Sequence, residues 1–320
     1  MSNKKNARWF SRLDYIFVLR PMLFFPGWST MLAGFFIDSK NSWFDFYKNS
    51  QTIDYFNLIF LLIGFGMLMG STFVLNQIKD IESDLKNKKL FIISNGYLSR
   101  KSALYEVILL FVISLILSFN INLTVGILFL IFFLVTGIGY NFKPLILKDK
   151  PWGSLFANAV MGWIAFAIGW CAVKSIGWQI FIDSIPYLLF NTSLYFFTIL
   201  PDIEGDKSAT KKTLAVQFGH KPIIISSFLI FIAGFIFALI LNDRQALVFY
   251  LFSLPFFLRG VFTLKISHSI QTTKYSILFF ALSICIRWPW YFIMMLSGYF
   301  LTKYYFKKRF NLDYPNFSGA

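Results

Sequence analysis

Oxygen-bearing side chains repeat at four-residue spacing at two places in the chain. The first series is Asn76, Asp80 and Asp84, and the second is Thr198, Asp202 and Asp206. Residues that are four apart lie on the same face of a helix. Each series therefore predicts a stripe of oxygen ligands, and each stripe follows a long apolar segment, which places it at a helix end.

Two facing stripes of carboxylates predict a site for Mg²⁺. This ion is usually held by one or two carboxylates together with phosphate oxygens of a substrate, rather than by an all-protein cage. Lysines accompany both stripes: Lys79 stands beside the first, and Lys207, Lys211 and Lys212 follow the second. Lysine side chains can neutralise phosphate oxygens directly. The combination predicts metal-assisted chemistry on a diphosphate.

Each acidic cluster taken alone is also compatible with a solvated helix end that carries ordinary interfacial charges. Two matched clusters at equivalent places in the two halves of the chain favour the functional interpretation. Glu82 and Glu204 lie off the aspartate stripes, and a solvent-exposed face is the simpler assignment for both. His220 and His268 have no partner cluster in the sequence, so we assign neither to a metal.

The motifs are separated by apolar segments of the length that a membrane-spanning helix needs, about 20 residues. We count nine such segments, at 16–37, 55–77, 103–119, 122–140, 153–173, 180–200, 222–241, 246–264 and 279–302. Hydrophobic residues make up 57% of the chain and charged residues 14%, whereas soluble domains have about 25% charged residues. We therefore expect an all-α, polytopic membrane protein with both motifs at the same face of the bilayer.

The formal charge of +15 suggests contact with lipid headgroups rather than with nucleic acid, because the basic residues crowd the short loops between apolar segments. Their distribution predicts a cytoplasmic N-terminus and cytoplasmic motifs. Nine spans then place the basic tail, with Lys307, Lys308 and Arg309, on the opposite side, against the charge rule. Arg287 falls inside the ninth segment, about 12 Å from its cytoplasmic end at 1.5 Å per residue. Both cysteines lie in apolar segments, so no disulfide framework is expected.

Taken in order, these motifs resemble those of the UbiA superfamily of membrane prenyltransferases. Asn76-x-x-x-Asp80-x-x-x-Asp84 is similar to the first aspartate-rich motif of that superfamily. Asp202-Ile-Glu-Gly-Asp206-Lys is similar to the second, in the form found in its homogentisate and chlorophyll-synthase branches. Two shorter features agree: Arg20-Pro21 opens the first span, and Tyr140 precedes Pro144-Leu-Ile-Leu-Lys148 after the fourth.

The resemblance implies a fold and a reaction. The fold is a bundle of about nine helices around a central cavity, with a cytoplasmic cap that holds both motifs. The reaction is Mg²⁺-dependent transfer of a polyprenyl group from a prenyl diphosphate to a lipophilic acceptor. The resemblance implies metal binding by Asp80, Asp84, Asp202 and Asp206, and catalysis by these aspartates and Lys212. It implies substrate binding by Arg20, Asn76, Lys79, Tyr140, Lys148 and Lys207.

The same resemblance implies a single transmembrane prenyltransferase domain over residues 1–320. Its first-motif half covers about 16–140, its second-motif half about 153–302, and a basic tail follows at 303–320. We expect it in a bacterial or archaeal cell membrane, with no obligate protein partner and no nucleic-acid partner.

Two other functions remain compatible with parts of the pattern. A secondary transporter also places carboxylates in two repeated halves, but near the bilayer midplane rather than at helix ends. A membrane protein without chemistry leaves the paired stripes unexplained. Within the enzyme class, the acceptor is most simply an aromatic quinone precursor, and a chlorin, a carotenoid or a glycerol-phosphate lipid precursor is also compatible with the sequence.

Overall fold

The regular elements of the chain are all helical wherever the structure describes it. This computed structural model describes residues 2–39, 54–86, 92–208 and 211–315. The α-helices are α1 (Ser2–Phe17), α2 (Phe24–Phe35), α3 (Tyr55–Lys79), α4 (Ile81–Lys86), α5 (Arg100–Ile121), α6 (Leu123–Phe132), α7 (Pro151–Val173), α8 (Gln179–Asp183), α9 (Ile185–Thr198), α10 (Ile203–Ser208), α11 (Leu214–Phe218), α12 (His220–Ile240), α13 (Arg244–Thr263), α14 (Ile266–Arg287) and α15 (Trp290–Phe310). The all-α polytopic fold expected from the sequence is confirmed.

Seven helical segments in the described ranges are long and apolar enough to cross a membrane. They are Phe10–Phe35, Tyr55–Lys79, Arg100–Ile121, Pro151–Val173, His220–Ile240, Arg244–Thr263 and Ile266–Arg287. The predicted count of nine is not confirmed. The fourth expected span is the shorter apolar segment Leu123–Gly139, whose second half is π-helical. The sixth expected span is divided between α8 and the 14-residue helix α9.

The bundle is held together by helices that approach each other closely. The pairs α3–α5, α13–α14, α9–α12 and α2–α7 pack along much of their lengths. The α2–α7 contact depends on two glycines, because a Cβ on Gly34 would lie 2.1 Å from the Phe166 carbonyl oxygen and a Cβ on Gly169 would lie 1.8 Å from that of Met31. Small residues allow helix backbones to approach in this way in membrane bundles. This contact joins the first-motif part of the chain to the second-motif part.

The predicted ninth span, 279–302, is wrong as a single helix. The chain breaks at Trp288 and Pro289, so that α14 ends at Arg287 and α15 begins at Trp290. Residues 266–278, including His268, belong to α14 rather than to a loop. Arg287 therefore lies at the end of α14 that is farthest from the motifs, where it is 3% exposed and interacts electrostatically with Tyr187.

Because the predicted ninth span is replaced by two helices, α14 and α15, the second of them brings the basic tail back to the motif end of the bundle. Arg309 donates hydrogen bonds from Nε and Nη2 to the buried Asp14 carboxylate, at 3.2 Å and 2.9 Å, and the Tyr305 hydroxyl donates to Asp14 at 2.5 Å. The Phe17 and Tyr305 rings stack with centroids 3.8 Å apart. The placement of the tail on the opposite side from the motifs is thus wrong, and its basic residues now agree with the charge rule.

Candidate active site

The two aspartate motifs have the same local backbone structure. Helix α3 ends at Lys79, Asp80 forms its C-cap, and the short helix α4 carries Asp84. In the second motif α9 ends at Thr198, Asp202 lies in the turn that follows, and the short helix α10 carries Asp206. In each motif the second aspartate N–H donates to the carbonyl of the first at 2.8 Å. The four-residue spacing of the two aspartates is therefore kept in both motifs.

One cavity of about 350 Å³ at this end of the bundle brings the two motifs together. All four stripe aspartates line it, and so does Asn76. Its cationic lining residues are Arg20, Lys148 and Lys211, and Tyr140 and Tyr195 supply aromatic rings. The structure therefore places eight of the predicted site residues around one space: Arg20, Asn76, Asp80, Asp84, Tyr140, Lys148, and Asp202 and Asp206 from the second motif.

Lys148 is the cation closest to the first motif. Its Nζ lies 2.5 Å from Asp80 Oδ1 and 3.4 Å from Asn76 Oδ1. It belongs to a short 3₁₀ helix, Leu147–Asp149, whose N-cap Ile146 has a left-handed backbone with φ 40°. A β-branched residue rarely adopts that conformation, and such strain often accompanies a functional constraint. The turn directs Lys148 back towards α3 from the other side of the cavity.

Arg20 approaches the cavity from the N-terminal side. It has φ 57° and ψ 59°, in the left-handed region, and it separates α1 from the Pro21–Leu23 turn that leads into α2. Proline disfavours the right-handed helical conformation of the residue before it, so the Arg20-Pro21 sequence interrupts the first span. Arg20 interacts electrostatically with Asp84 and with Asp202. It is thus a cation shared by both motifs.

Open space continues from the carboxylate cavity into the bundle, first through a cavity of mixed polar and apolar lining and then through a mainly apolar one. A second cavity, of about 400 Å³, shares Arg20, Asn76 and Tyr140 with the first. A third, of about 280 Å³, shares Phe73, Met161 and Thr198 with the second and extends to Phe65, Phe132 and Phe280. Phe65 is fifteen residues from Asp80, which corresponds to about 22 Å along α3 at 1.5 Å per residue. A charged end and a long apolar channel therefore adjoin.

Three lysines that the sequence assigns to the site do not line the carboxylate cavity. Lys207 and Lys212 are exposed, and Lys79 is exposed with its Nζ 4.5 Å from the centre of the Phe142 ring. Lys211, the neighbour of Lys212, lines the cavity instead, with its Nζ 3.9 Å from Asp206 Oδ1. The Lys211 N–H donates to the Asp206 carbonyl at 2.9 Å, and this turn carries the side chain inwards.

Sequence reasoning also missed three polar residues of the cavity wall. The Tyr195 hydroxyl donates to Ser154 Oγ at 2.6 Å, and both residues line the cavity with Thr213. Thr213 Oγ1 is buried and has no hydrogen-bond partner among the residues that the structure describes. A signal for Tyr195 was present, because it lies seven residues before Asp202, two helical turns along the same face. Ser154 and Thr213 carried no comparable pattern.

The donor set fits a Mg²⁺ ion that arrives with a diphosphate. Among the residues that the structure describes, no three acidic, histidine or cysteine side chains converge into a preformed metal site. Four aspartates nevertheless face one cavity from two sides. Mg²⁺ takes few protein carboxylates and completes its octahedral shell with water and phosphate oxygens. Asp80 and Asp84 on one side, and Asp202 and Asp206 on the other, have the chemistry for this arrangement.

Known proteins of similar sequence include enzymes that are named for prenyl or phytyl transfer. The chain is 29% identical over 195 residues to digeranylgeranylglyceryl phosphate synthase of Pyrococcus furiosus, a match that covers 59% of this chain and 68% of that one. It is 27% identical over 166 residues to homogentisate phytyltransferase of Synechocystis, covering 49% and 54%. It is 33% identical to 1,4-dihydroxy-2-naphthoate octaprenyltransferase of Bacillus subtilis over 87 residues, covering 26% and 28%.

The fold has the same relatives. A UbiA homolog of Archaeoglobus fulgidus, solved with GPP and Mg²⁺ bound, superposes with a TM-score of 0.66 at 19% identity, covering 89% of this chain and 99% of that one. The model of the UbiA prenyltransferase family matches residues 28–262, which include both aspartate motifs. The chain therefore belongs to the UbiA prenyltransferase family.

Proposed function

We propose that this protein is a Mg²⁺-dependent intramembrane prenyltransferase that moves a polyprenyl group from a prenyl diphosphate to a lipophilic acceptor. The observation that carries the proposal is the single cavity that joins both aspartate motifs to three cations and opens into apolar space. A prenyl diphosphate matches this arrangement, because it has a highly charged diphosphate head and a long hydrocarbon chain.

The leaving group would occupy the carboxylate cavity. Bound Mg²⁺ would neutralise the diphosphate and stabilise the charge that develops as it departs. Lys148, Arg20 and Lys211 supply fixed positive charge around the same space, so that diphosphate oxygens would replace the Asp80 carboxylate as a partner of Lys148. Charge placed in advance where negative charge develops is commonly the largest contribution to catalysis of this kind.

The allylic carbon would lie where the carboxylate and apolar cavities meet. Tyr140 lines both spaces there, and aromatic ring faces stabilise positive charge. As the C–O bond breaks, its electron pair leaves with the diphosphate. A nucleophilic atom of the acceptor forms the new bond to the allylic carbon, and the proton that this atom loses passes to a diphosphate oxygen. The apolar side chains of the half-buried Phe73 and Met161 would help to exclude water, which would otherwise capture the allylic cation.

The residue roles follow this geometry. Asp80, Asp84, Asp202 and Asp206 hold the metal, with Asn76 beside Asp80. Lys148, Arg20 and Lys211 balance the diphosphate, and Tyr140 contacts the reacting end of the prenyl chain. The exposed Lys79, Lys207 and Lys212 would attract the anionic substrate at longer range. The motif end of the bundle would face the cytoplasm of a bacterial or archaeal cell.

A secondary transporter is the alternative from another class. Transporter ion sites lie near the bilayer midplane, whereas these aspartates lie beyond the ends of α3 and α9. The position of the acids therefore favours the enzyme.

Product formation tests the proposal. Purified protein in detergent would be incubated with Mg²⁺, labelled geranylgeranyl diphosphate and each of three acceptors: homogentisate, 1,4-dihydroxy-2-naphthoate and geranylgeranylglyceryl phosphate. We expect a prenylated product with at least one acceptor, identified by mass spectrometry, and none from the Asp80→Ala protein. The proposal would be contradicted if no combination of prenyl length and acceptor gave a product while the same protein transported a prenyl diphosphate in liposomes.

A further inference from the structure

The apolar channel follows one face of α3. Phe73, Met69 and Phe65 all line its deeper cavity, of about 280 Å³, and residues four apart share a helix face. Phe65 is the deepest of the three. It lies eleven residues from Asn76, which lines both the carboxylate cavity and the cavity that follows it. At 1.5 Å per residue the channel is therefore about 16 Å long from Asn76 to Phe65.

Two buried aromatic rings stand at the deep end of the channel, Phe65 from α3 and Phe280 from α14. The Phe65 ring packs against Phe129, with centroids 6.0 Å apart. The Phe280 ring packs edge-to-face against Phe190 at 5.6 Å, and its centroid is 4.6 Å from that of Phe249. The three supporting rings are fully buried and do not line the channel. Rings in such a closely packed core hold their positions.

Helices α2 and α7 close the space beyond these two rings. They line the channel with Thr30 and Ala165. Four residues farther along each helix are Gly34 and Gly169, where the two backbones come so close that a Cβ on either glycine would overlap a carbonyl oxygen of the other helix. The helices therefore stand apart along the channel and meet at its deep end. We call the two rings and this glycine contact the channel floor.

The distance to the floor can be compared with the length of a prenyl chain. An extended chain advances about 5 Å for each isoprene unit, because each unit has four chain bonds of about 1.5 Å that run in a zigzag. A channel of about 16 Å therefore holds about three extended units, or about four when the chain folds against the floor. A longer chain has no further apolar space inside this channel.

We propose that the channel floor sets the length of the prenyl donor, and that the donor is a diphosphate with about three to four isoprene units. The inference rests on the proposed function, because it names the donor class of the same site. Phe65 and Phe280 are then specificity-determining residues. The far end of a longer chain would meet the floor, and its allylic carbon would be held away from Tyr140.

Binding of prenyl thiolodiphosphates with two, three, four, five and six isoprene units tests the inference without turnover. Each analogue is titrated with Mg²⁺ into the purified full-length protein in detergent. The quantity compared is the ratio of the variant Kd to the wild-type Kd at each chain length. This ratio removes the partition of the analogue into detergent micelles, which is the same for every protein.

Phe280→Ala should deepen the channel, because truncation of a buried ring leaves a cavity. We expect this protein to bind the five-unit analogue at least tenfold more tightly than the wild type does, and the two-unit analogue within twofold. Normal binding of the two-unit analogue also shows that the variant is folded.

Ala165→Leu tests the floor in the opposite direction and keeps the inference falsifiable if Phe280→Ala does not fold. Ala165 lines the deep end of the channel and is 3% exposed, so a larger side chain there should shorten the channel. We expect the four-unit analogue to bind at least tenfold more weakly than to the wild type, and the two-unit analogue to bind within twofold.

Phe279→Ala is the matched control. Phe279 is the chain neighbour of Phe280, but it is half-buried and does not line the channel. Its ring packs on the rings of Phe252 and Phe256, with centroids 5.7 Å apart in both cases. The Kd ratio should therefore stay near one at every length. If folded Phe280→Ala or Ala165→Leu protein changed binding equally at all lengths, or at none, the chain would not end at the floor and the inference would be overturned.

Product assays separate this inference from the proposed function. If the Kd ratios depend on chain length as expected but no acceptor gives a product, the transferase proposal is contradicted and the channel floor stands. If the wild type transfers a six-unit chain as fast as a four-unit chain, and Phe280→Ala leaves that preference unchanged, the transferase stands. The channel floor is then overturned, because the chain must leave the bundle sideways into the lipid.

Discussion

The Lys148 ammonium group lies 2.5 Å from an Asp80 carboxylate oxygen, although 68 residues separate them in the chain. Asp80 caps the end of α3, and Lys148 comes from the turn before α7. Their side chains are only 18% and 11% exposed. An ion pair shielded from water to this degree interacts more strongly than a surface pair. Under the proposed function, Lys148 would exchange Asp80 for the substrate diphosphate and Asp80 would become free to hold metal, so the ion pair keeps both side chains in place before substrate binds.

Removal of the Lys148 charge should slow the chemical step. Lys148→Gln is expected to lower kcat about a hundredfold, in line with the loss of one preorganised group that stabilises developing charge, with a smaller effect on KM for the prenyl diphosphate. Steady-state kinetics measure both. Lys150→Gln is the control, because Lys150 is exposed on the same turn and should behave as wild type. Equal effects of the two substitutions would contradict a specific role for Lys148.

The neighbouring lysines after the second motif should differ. Lys211 lines the carboxylate cavity, whereas Lys212 is exposed. Lys211→Gln should therefore lower kcat by at least tenfold. Lys212→Gln should change the rate less than threefold at physiological salt, because exposed charges are screened. The same kinetic assay on both proteins decides this. A larger loss of kcat in the Lys212→Gln protein than in the Lys211→Gln protein would show that Lys212 acts in the site, as the sequence predicted, and that Lys211 does not.

The stripe aspartates should matter far more than the glutamates beside them. Asp80→Ala, Asp84→Ala, Asp202→Ala and Asp206→Ala are each expected to reduce kcat/KM by at least a hundredfold, since each would remove a ligand of the proposed metal site. Glu82→Gln and Glu204→Gln are matched controls, because both residues are exposed on the same short helices. They should retain activity within about threefold of wild type. If the aspartate and glutamate variants lost similar factors in kcat/KM, the assignment of the aspartates as metal ligands would be contradicted.

The four-residue spacing of each aspartate pair is kept in the structure, because in both motifs the N–H of the second aspartate donates to the carbonyl of the first, and all four aspartates line one cavity. Spacing alone could not show whether Lys211 or Lys212 lines the cavity, because that depends on the backbone conformation of the turn after Asp206. The ninth span was wrong for a different reason. Segment 279–302 is apolar on both sides of Trp288 and Pro289, so hydropathy alone does not reveal the break. The polar first half of α14, with His268 and Lys274, resembled a loop.

The tail should be on the same side of the membrane as the motifs. In a protein with Cys171 and Cys285 replaced by serine, a cysteine at Lys308 and one at Lys207 should react with an impermeant thiol reagent from the same side. A cysteine at Gly177, at the opposite end of α7, should react only from the other side. Intact and inverted membrane vesicles provide the two measurements. Labelling of positions 308 and 207 from opposite sides would contradict the extra helix α15.

If metal and diphosphate bind together between the two motifs, the affinity for a substrate analogue should require both Mg²⁺ and both motifs. A non-hydrolysable geranylgeranyl thiolodiphosphate would be titrated into the protein with Mg²⁺ and with EDTA, in wild type and in Asp80→Ala and Asp202→Ala. We expect tight binding by the wild type only with Mg²⁺, and at least a hundredfold weaker binding when either motif is altered. Equally tight binding in EDTA, or full affinity in the Asp202→Ala protein, would contradict it.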